Sequence, residues 1–554
     1  MSFRSIVLVG NSSMRTIVAS FLLLTFVFAA SCTRSASQTS NADPATIDPI
    51  LCRVDTTQEI RRIPATLFGT NLEWFNQANG IARTDGSFDP KWPQLARAEG
   101  VQHIRFPGGT LSDFYHWRDG TGPLASRPIR EHPTDSGRSA NAFGTPEFLR
   151  FCSAAGAEPL ITVNAGTAGP DEAAAWVAYC NQPVNKERSA DGLPEPANVK
   201  FWEIGNELYL PGNPTDKQLI SVTPEVYAER FLAFASAMKK VDPTIKLIGI
   251  GTANAYTIAL PHPDWSETVL RLAGQEMDYY SVHNSYFPMI QQPRGLDART
   301  VYQSLWAAPE AVNDKLQSLA EFLSRLDGTH KTEIAVTEWG ALFSAHPQWV
   351  DHVKTMGTSV YLARLLQVYI SIPRVTLASY FKYTDRTFMG WVAYDQKPKI
   401  PYFVIQLFTQ HFGDRLVKSS IENGPTYDAP VMPPIAPRKA VPEITCVASV
   451  DETGKRLYVN LINRSWETPH QIALETGQFK SASTATAWSI SAASVTDHNG
   501  RDLPSEIPLA AYIEPNLSPK AKAYVSIEER SINLNQPIIV PPYSIITIEM
   551  NAIP

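Results

Sequence analysis

Residues 201–207, FWEIGNE, and residues 333–339, EIAVTEW, decide the interpretation of this chain. Each is a short apolar run that ends in polar side chains, which is typical of a buried parallel strand followed by a functional loop. Similar runs recur between residues 60 and 390 and alternate with longer, helix-like segments. Eight strands are predicted, at residues 66–71, 103–106, 160–164, 201–206, 246–249, 279–283, 333–337 and 378–381. Eight βα units close a (β/α)8 barrel, so the fold class is predicted to be α/β with a TIM barrel over residues 51–415.

The composition changes after about residue 415. β-rich segments at 443–450, 456–462, 485–490 and 538–550 are separated by Gly, Pro, Asn and Asp at short intervals. This pattern predicts a C-terminal antiparallel β-sandwich over residues 416–554.

The first 50 residues are predicted to direct and tether the protein. Residues 17–30, IVASFLLLTFVFAA, are apolar but shorter than the ~20 residues that span a bilayer, and Arg4 and Arg15 precede them. A signal peptide is therefore predicted over residues 1–31. Small residues before Cys32 resemble a bacterial lipobox, which predicts lipidation of Cys32; ordinary signal cleavage is the alternative. Residues 32–50 are predicted to be a polar tether, and the protein to be periplasmic or at the cell surface.

Charge and motif content exclude several functions. Lys and Arg number 48 against 54 Asp and Glu, and no basic cluster is present, which argues against a nucleic-acid partner and leaves a lipid anchor as the predicted membrane contact. No dinucleotide loop, Walker A motif or metalloprotease motif occurs, so no cofactor and no metal are predicted. Abundant Trp, Tyr and Phe, with a low charged fraction, favour a neutral or weakly charged ligand. Among the cysteines after Cys32, Cys152 and Cys180 are the only pair close in sequence, but the sequence does not decide whether they form a disulfide.

Two glutamates follow predicted barrel strands four and seven, Glu207 and Glu338. Because the carboxyl ends of barrel strands form one mouth, these carboxylates are expected to face each other. Paired carboxylates cleave glycosidic bonds: one protonates the leaving oxygen, and the other attacks the anomeric carbon or activates water. Arg105 is predicted to pair with a catalytic carboxylate or to fill the barrel, and Glu203, which lies mid-strand, to form a structural ion pair.

Several motifs together resemble glycoside hydrolase family 51, the α-L-arabinofuranosidases. They are residues 104–109 (IRFPGG), 115–123 (YHWRDGTGP), 143–148 (FGTPEF), 156–167, 172–179 and 540–544 (VPPYS), so the resemblance covers about residues 50 to 554. It implies a retaining hydrolase that removes terminal α-L-arabinofuranosyl units from plant-type polysaccharides or oligosaccharides. By the same resemblance Glu207 is the acid/base and Glu338 the nucleophile.

Seven further residues are predicted to bind the substrate. Asn206 is expected to contact the sugar 2-hydroxyl, and Tyr286 to hold the nucleophile. The family resemblance implies that Glu73 holds the terminal sugar. For His283, a supporting or core role is favoured over proton transfer. Trp74 and Trp339 are predicted either to stack on a sugar face or to pack in the core. The full set is Glu73, Trp74, Thr110, Asn206, His283, Tyr286 and Trp339.

Departures from the family pattern leave the sugar open. Thr110 stands where asparagine is usual, Thr337 and Gly340 flank a Glu-Trp pair that usually lies between Asp and Asn, and the His-x-Tyr motif is one residue longer at His283 to Tyr286. The alternatives are a β-xylosidase, β-glucuronidase or endo-glucanase of the same clan, or a non-catalytic glycan-binding surface lipoprotein. The sequence does not indicate linkage, exo or endo action, or oligomeric state.

Overall fold

The computed structural model describes residues 49–131, 133, 137–210, 220–252, 261–284, 297–328, 331–341, 353–384, 389–432, 435–500 and 524–553. The predicted signal peptide, Cys32, most of the predicted tether and Tyr286 lie outside these residues. Within the described ranges, no helix combines the length and the apolarity needed to cross a bilayer.

The first strand, β1 (Ile50–Arg62), belongs to a large second sheet, and a parallel closed barrel follows it. A short hairpin, β4 (Ile129–Glu131) and β5 (Arg138–Ala140), lies between barrel strands. The barrel strands are β2 (Gly69–Asn71), β3 (His103–Phe106), β6 (Glu158–Val163), β7 (Phe201–Ile204), β8 (Lys246–Ile250), β9 (Tyr279–Asn284), β10 (Glu333–Trp339) and β11 (Val375–Tyr380). Each strand pairs with the next, and β11 closes on β2. The predicted eight-stranded barrel is therefore confirmed.

Helices alternate with the barrel strands along the chain, and the last helix follows β11; the longer ones bury apolar side chains in the core. They are α1 (Phe75–Gly80), α2 (Lys91–Glu99), α3 (Thr145–Ala155), α4 (Pro170–Asn181), α5 (Lys186–Ala190), α6 (Pro224–Val241), α7 (Trp265–Ala273), α8 (Ala298–Leu326), α9 (Met356–Ser371) and α10 (Ile400–Gln410). N-terminal capping residues mark where several of them begin. Thr223 caps α6, whose first residue is proline, and Asp297 caps α8 by accepting a hydrogen bond from the Thr300 amide.

The barrel interior consists of an apolar layer below a polar one. Side chains near the strand starts form a small apolar cluster of Leu160, Phe201, Ile248, Ala335 and Leu377. Because strand side chains alternate in direction, the residues two positions later also point inward. At four of those five positions the chain has buried polar residues, Thr162, Glu203, Thr337 and Ser379, and the fifth is Ile250. The alternation thus brings polar groups to the carboxyl ends of the strands, where barrel enzymes carry their sites.

The second sheet has nine strands in the order β19-β18-β21-β16-β15-β12-β1-β17-β20. Apart from β1 its strands are β12 (Arg415–Glu422), β15 (Ile444–Val450), β16 (Arg456–Asn463), β17 (His470–Glu475), β18 (Thr484–Ile490), β19 (Glu528–Asn533), β20 (Ile538–Val540) and β21 (Ser544–Asn551); a two-stranded ladder, β13 (Thr426–Tyr427) and β14 (Val441–Pro442), lies beside it. One face encloses its own apolar core, which includes Val54, Val459 and Ile548, and the other packs on α9.

Two details of this sheet differ from the sequence prediction. Its ladder is mostly antiparallel, but β1 pairs in parallel with β17 and antiparallel with β12, so residues at the start of the predicted barrel segment belong to this sheet. The predicted strand at 538–550 is divided into β20 and β21 at Pro541 and Pro542, because proline cannot donate to a ladder.

Buried ions and thiols complete the framework. Glu310 of α8 accepts from Arg364 of α9 (2.9 Å) and from Arg464 (2.7 Å), which follows β16, so it joins the barrel to the second sheet. Burial opposes ionisation, but the two guanidinium groups hold the pKa of Glu310 well below its usual range. Cys152 and Cys180 are buried free thiols.

Candidate active site

The end of β7 delivers Glu207 to the barrel mouth through a turn at Gly205. Gly205 has φ of +80°, and a Cβ there would lie 3.1 Å from the Ala165 Cβ. Glycine adopts this left-handed conformation at low cost, and it has no Cβ to crowd Ala165. The turn ends the alternation of β7 and carries Asn206 and Glu207 over the interior.

The end of β10 uses an irregular register to aim Glu338 inward. Strict alternation would put Thr337 inside the barrel and Glu338 outside it. The pairing of β10 shifts register on both sides, between Ala335 and Glu338 against β9 and between Val336 and Trp339 against β11. Such irregularities re-aim side chains, and here Thr337 and Glu338 both contact groups inside the barrel.

The two carboxylates lie close together and are buried. Glu207 is 7% and Glu338 is 1% exposed. One oxygen of each lies within 4.8 Å of the other and of a nitrogen of His283. A retaining glycosidase places its carboxyl groups roughly 5–5.5 Å apart, whereas an inverting enzyme needs about 6.5–9.5 Å. Gly109 backs this site, because a Cβ there would lie 3.0 Å from Glu338 Oε1.

Arg105 of β3 organises the polar layer. Its guanidinium donates from Nε to Glu203 Oε2 at 2.5 Å, from Nη1 to Glu338 Oε1 and Asn71 Oδ1, each at 2.9 Å, and from Nη2 to Asn206 Oδ1 at 2.8 Å. All of these groups are buried. A planar guanidinium serves four acceptors in fixed directions, which an ammonium group cannot do. Arg105 pairs with Glu338, the carboxylate that the sequence predicts to be the nucleophile, and it also fills the barrel interior, where it forms the predicted ion pair with Glu203.

Burial and charge act against each other on these groups. Burial raises the pKa of Glu338, with Glu207 adding to the effect, while His283 and Arg105 oppose it. For Glu203, burial is outweighed by Arg105, His283 and the Thr337 hydroxyl, and its pKa is lowered. Glu203 is therefore an ionised carboxylate inside the barrel.

His283 of β9 contacts both sides of the site. Its Nδ1 lies 2.8 Å from Glu207 Oε1 and 3.8 Å from Glu338 Oε2, and its Nε2 lies 3.0 Å from Thr337 Oγ1. Burial lowers the pKa of His283, but Glu338 and Glu207 raise it further, and the net direction is upward. His283 is therefore a direct partner of Glu207, a closer role than the sequence predicted.

Asp113, in the loop after β3, holds the ends of two strands. It accepts from the Ala165 amide at 3.1 Å and from the Asn206 amide at 2.9 Å. Burial raises the pKa of Asp113 to about 7, although both amide donors lower it. Asp113 thereby fixes the backbone that carries Asn206 and Glu207.

Glu73 lies at the rim with a cation that the sequence analysis did not single out. Lys382, just after β11, pairs with Glu73, and Asn79 donates to the same carboxylate at 2.8 Å. Asn79 sits in a left-handed turn, since residues 76–79 of α1 have φ values of 50–54°. The rule that polar residues after barrel strands are functional candidates would have found Lys382 if it had been applied to strand eight.

The remaining predicted residues differ in accessibility. Thr110 is exposed at the start of a short 3-10 helix beside Gly109. Trp74 and Trp339 are 2% and 0% exposed. Trp339 packs edge-on against Tyr369 and Tyr380, so both indoles lie in the core, the alternative to sugar stacking.

Within the described part of the chain, Glu207, His283 and Glu338 form the one cluster of side chains close enough to hold a metal ion. The Arg105 guanidinium lies 2.9 Å from Glu338, where it would repel a cation. The neighbouring guanidinium therefore disfavours a metal ion at this cluster.

A parallel barrel whose mouth holds two buried carboxylates at this separation defines a class, the (β/α)8-barrel glycoside hydrolases of retaining geometry. Comparison with known proteins shows which members of that class the chain resembles. Residues 97–292 match the family model described as the α-L-arabinofuranosidase 1 domain. In sequence and fold, the chain resembles the α-L-arabinofuranosidases of glycoside hydrolase family 51.

The individual relatives agree with this likeness. Alpha-L-arabinofuranosidase C of Emericella nidulans is 38% identical over 207 residues, which cover 35% of this chain and 40% of the relative. This chain thus spans about two fifths of that relative's length. An intracellular exo-alpha-(1->5)-L-arabinofuranosidase of Bifidobacterium longum is 25% identical over 74% of this chain and 78% of its own. The solved structure of a family 51 α-L-arabinofuranosidase from Bifidobacterium longum, 23% identical, covers 91% of this chain and 100% of its own with a TM-score of 0.76, a likeness of fold.

Proposed function

We propose that the protein is a retaining glycoside hydrolase that removes terminal α-L-arabinofuranosyl groups from plant-type polysaccharides or oligosaccharides. The observation that carries the proposal is the buried Glu207–Glu338 pair, with oxygens within 4.8 Å, at the mouth of the barrel. This spacing leaves no room for a water molecule between carboxylate and sugar, so one carboxylate attacks directly.

Glu338 is the nucleophile in this proposal. Arg105 donates to Glu338 Oε1 and leaves Oε2 to attack the anomeric carbon. As the bond forms, Glu207 gives a proton to the leaving oxygen. Asn206, oriented by Arg105 and Asp113, is placed to hydrogen-bond the sugar 2-hydroxyl, an interaction that strengthens in the oxocarbenium-like transition state.

Hydrolysis of the glycosyl-enzyme reverses these roles. Esterification removes the negative charge of Glu338, so Glu207, ionised once it has given up its proton, no longer faces a second carboxylate. Ionised Glu207 then accepts a proton from water, which attacks the anomeric carbon and releases Glu338. The configuration at the anomeric carbon is retained after two displacements.

The choice of an arabinofuranoside as substrate rests on the similarity to α-L-arabinofuranosidases and on the position of Glu73 at the rim of the barrel mouth. The relatives that the chain resembles carry α-L-arabinofuranosidase in their names. Glu73 is pre-oriented by Lys382 and Asn79, and such a fixed carboxylate can accept from a hydroxyl of a terminal sugar.

A panel of aryl glycosides with matched Glu338 variants tests the proposal. The wild-type protein should hydrolyse the α-L-arabinofuranoside, and Glu338→Ala should lose essentially all of that turnover. Added azide should restore part of it with an activated aryl substrate, because a small anion can occupy the place of the carboxylate. Ordinary turnover by Glu338→Ala would refute the assignment of the nucleophile.

The same panel separates the alternatives. Turnover of a β-xyloside, β-glucuronide or β-glucan with none of the arabinofuranoside would keep the two carboxylates and replace the substrate. A glycan-binding lipoprotein would bind sugar without turning it over, and binding would survive Glu338→Gln unchanged.

Export and lipid anchoring are also part of the proposal. The support is the apolar run at residues 17–30 and the small residues before Cys32. The full-length protein should appear in the membrane fraction with a lipid on Cys32, and Cys32→Ser should move it to the soluble fraction of the periplasm or medium. An unprocessed chain in the cytosol would contradict export and would match the intracellular name of the Bifidobacterium relative.

A further inference from the structure

A chain of four buried side chains connects a carboxylate inside the barrel to Glu207. Thr337 Oγ1 donates to Glu203 Oε1 at 2.7 Å. The same hydroxyl oxygen lies 3.0 Å from His283 Nε2, and His283 Nδ1 lies 2.8 Å from Glu207 Oε1. All four side chains are buried, so each of their polar hydrogens needs a hydrogen-bond acceptor.

The direction of the chain follows from Glu203. Its carboxylate is ionised, because Arg105 donates to its other oxygen at 2.5 Å, and an ionised carboxylate can only accept. The single hydroxyl hydrogen of Thr337 is thus used toward Glu203. Its oxygen can only accept from His283 Nε2, and from Ser281 Oγ at 2.5 Å.

His283 therefore carries a hydrogen on Nε2. In the neutral ring Nδ1 is then a bare acceptor, and its contact with Glu207 requires a proton on Glu207. If the ring is charged instead, the proton lies on Nδ1 and points at Glu207. In both arrangements one proton occupies the bond between the two residues.

We propose that Thr337 and Glu203 are positioning residues that keep this proton on the His283–Glu207 pair, from which Glu207 delivers it to the leaving group. The inference rests on the proposed function, and it names residues that never touch the substrate. Thr337 stands where the family resemblance predicts aspartate. Here the hydroxyl of Thr337, on β10, links His283 to a carboxylate on a different strand, Glu203 of β7.

The charged groups around His283 act in known directions. Glu207 and Glu338 face Nδ1 at 2.8 and 3.8 Å and favour the extra proton, while Arg105 disfavours it. Glu203 acts through Thr337 on the other nitrogen. Replacing the Thr337 hydroxyl by a methyl group leaves an Nε2 hydrogen without an acceptor, so the ring will instead carry its hydrogen on Nδ1 and donate to ionised Glu207. The pair then holds one proton fewer.

Three variants test this. Thr337→Val should move the alkaline limb of kcat/KM down by about one pH unit, since losing the hydrogen bond of a buried charged group changes a pKa by that order. It should slow poor leaving groups more than activated ones. Thr337→Ser keeps the hydroxyl and should restore the wild-type limb. Thr162→Val is the matched control, because Thr162 donates to Glu203 Oε2 at 2.8 Å without contacting His283, and its limb should not move.

A second readout does not depend on turnover. In protein labelled with 15N-histidine, the His283 signals, assigned by their loss in His283→Gln, should show Nε2 protonation in the wild type and in Thr337→Ser. Thr337→Val should show hydrogen on Nδ1 at high pH. The same protonation pattern in wild type and Thr337→Val, or an unmoved alkaline limb in a folded Thr337→Val, would overturn the inference. If the histidine signals differ between wild type and Thr337→Val as expected but the wild-type protein hydrolyses no glycoside, the proposed function is overturned instead.

Discussion

Replacing Arg105 with lysine should move the acid limb of the pH–rate profile upward. The lysine keeps a positive charge, but its ammonium cannot reach the four acceptors that the guanidinium serves, Glu203, Glu338, Asn71 and Asn206. The bond of most consequence is the 2.9 Å donation to Glu338 Oε1, because it favours the ionised form of Glu338, the proposed nucleophile.

The expected size follows from that bond. A hydrogen bond to a charged group contributes about 1.5–3 kcal/mol, and a change of one in pKa corresponds to about 1.36 kcal/mol. The pKa of Glu338 should therefore rise by about one to two. Attack requires ionised Glu338, and activity is lost as pH falls through this pKa, so a higher pKa moves the acid limb to higher pH. At a pH below the new limb, kcat/KM should fall about tenfold for each pH step of one by which the limb has moved.

The assay is kcat/KM for an aryl α-L-arabinofuranoside across pH, with melting temperature measured on the same samples. Arg188→Lys is the matched control, because Arg188 is equally buried but donates to backbone carbonyls, including those of Tyr179 and Gln182. It should lower the melting temperature and leave the acid limb in place. An Arg105→Lys protein that is folded and has an unmoved acid limb would refute the electrostatic role of Arg105.

Three further outcomes are expected. Glu207→Ala should slow substrates with poor leaving groups far more than activated ones, because only the former need a proton; equal losses, measured with a leaving-group series, would count against the acid role. Asp113→Asn leaves one of two backbone amides facing an amide nitrogen, so kcat should fall about tenfold with a lower melting temperature, and unchanged kcat would show that the Asp113 contacts do not position the site. Lys382→Met frees Glu73 from its cation and should raise KM about tenfold with little change in kcat, whereas a loss confined to kcat would place Lys382 in the chemistry.

Much of the barrel could be predicted from residue pattern. The strand at 103–106 coincides with β3, and the other seven predicted strands overlap the observed ones, because buried parallel strands are short apolar runs between helix-like segments. Glu207 and Glu338 could be found because each follows such a run. Glu73 and Thr110 could be found in the same way, because both follow predicted barrel strands and such residues lie at the barrel mouth.

Pairing in the second sheet could not be predicted in the same way. β1 pairs in parallel with β17, more than 400 residues along the chain, for example at Ile50 with Ile472. An alternating pattern indicates that a segment is a strand, but it does not name the partner of an edge far away in sequence. Sequence pattern predicted that the barrel segment starts at residue 51, but it gave no information about the sheet in which β1 pairs.

The sequence by itself determined a βα repeat, an all-β second region and two candidate carboxylates, because these depend on local periodicity and on residue type. The tertiary structure alone decided what surrounds those carboxylates. The register shift in β10 turns Glu338 toward Arg105 beside an inward Thr337, and His283 reaches Glu207 from a different strand. The ionisation of each group depends on distances of 2.5–3.0 Å between residues up to 233 positions apart, and only the closed barrel fixes such distances.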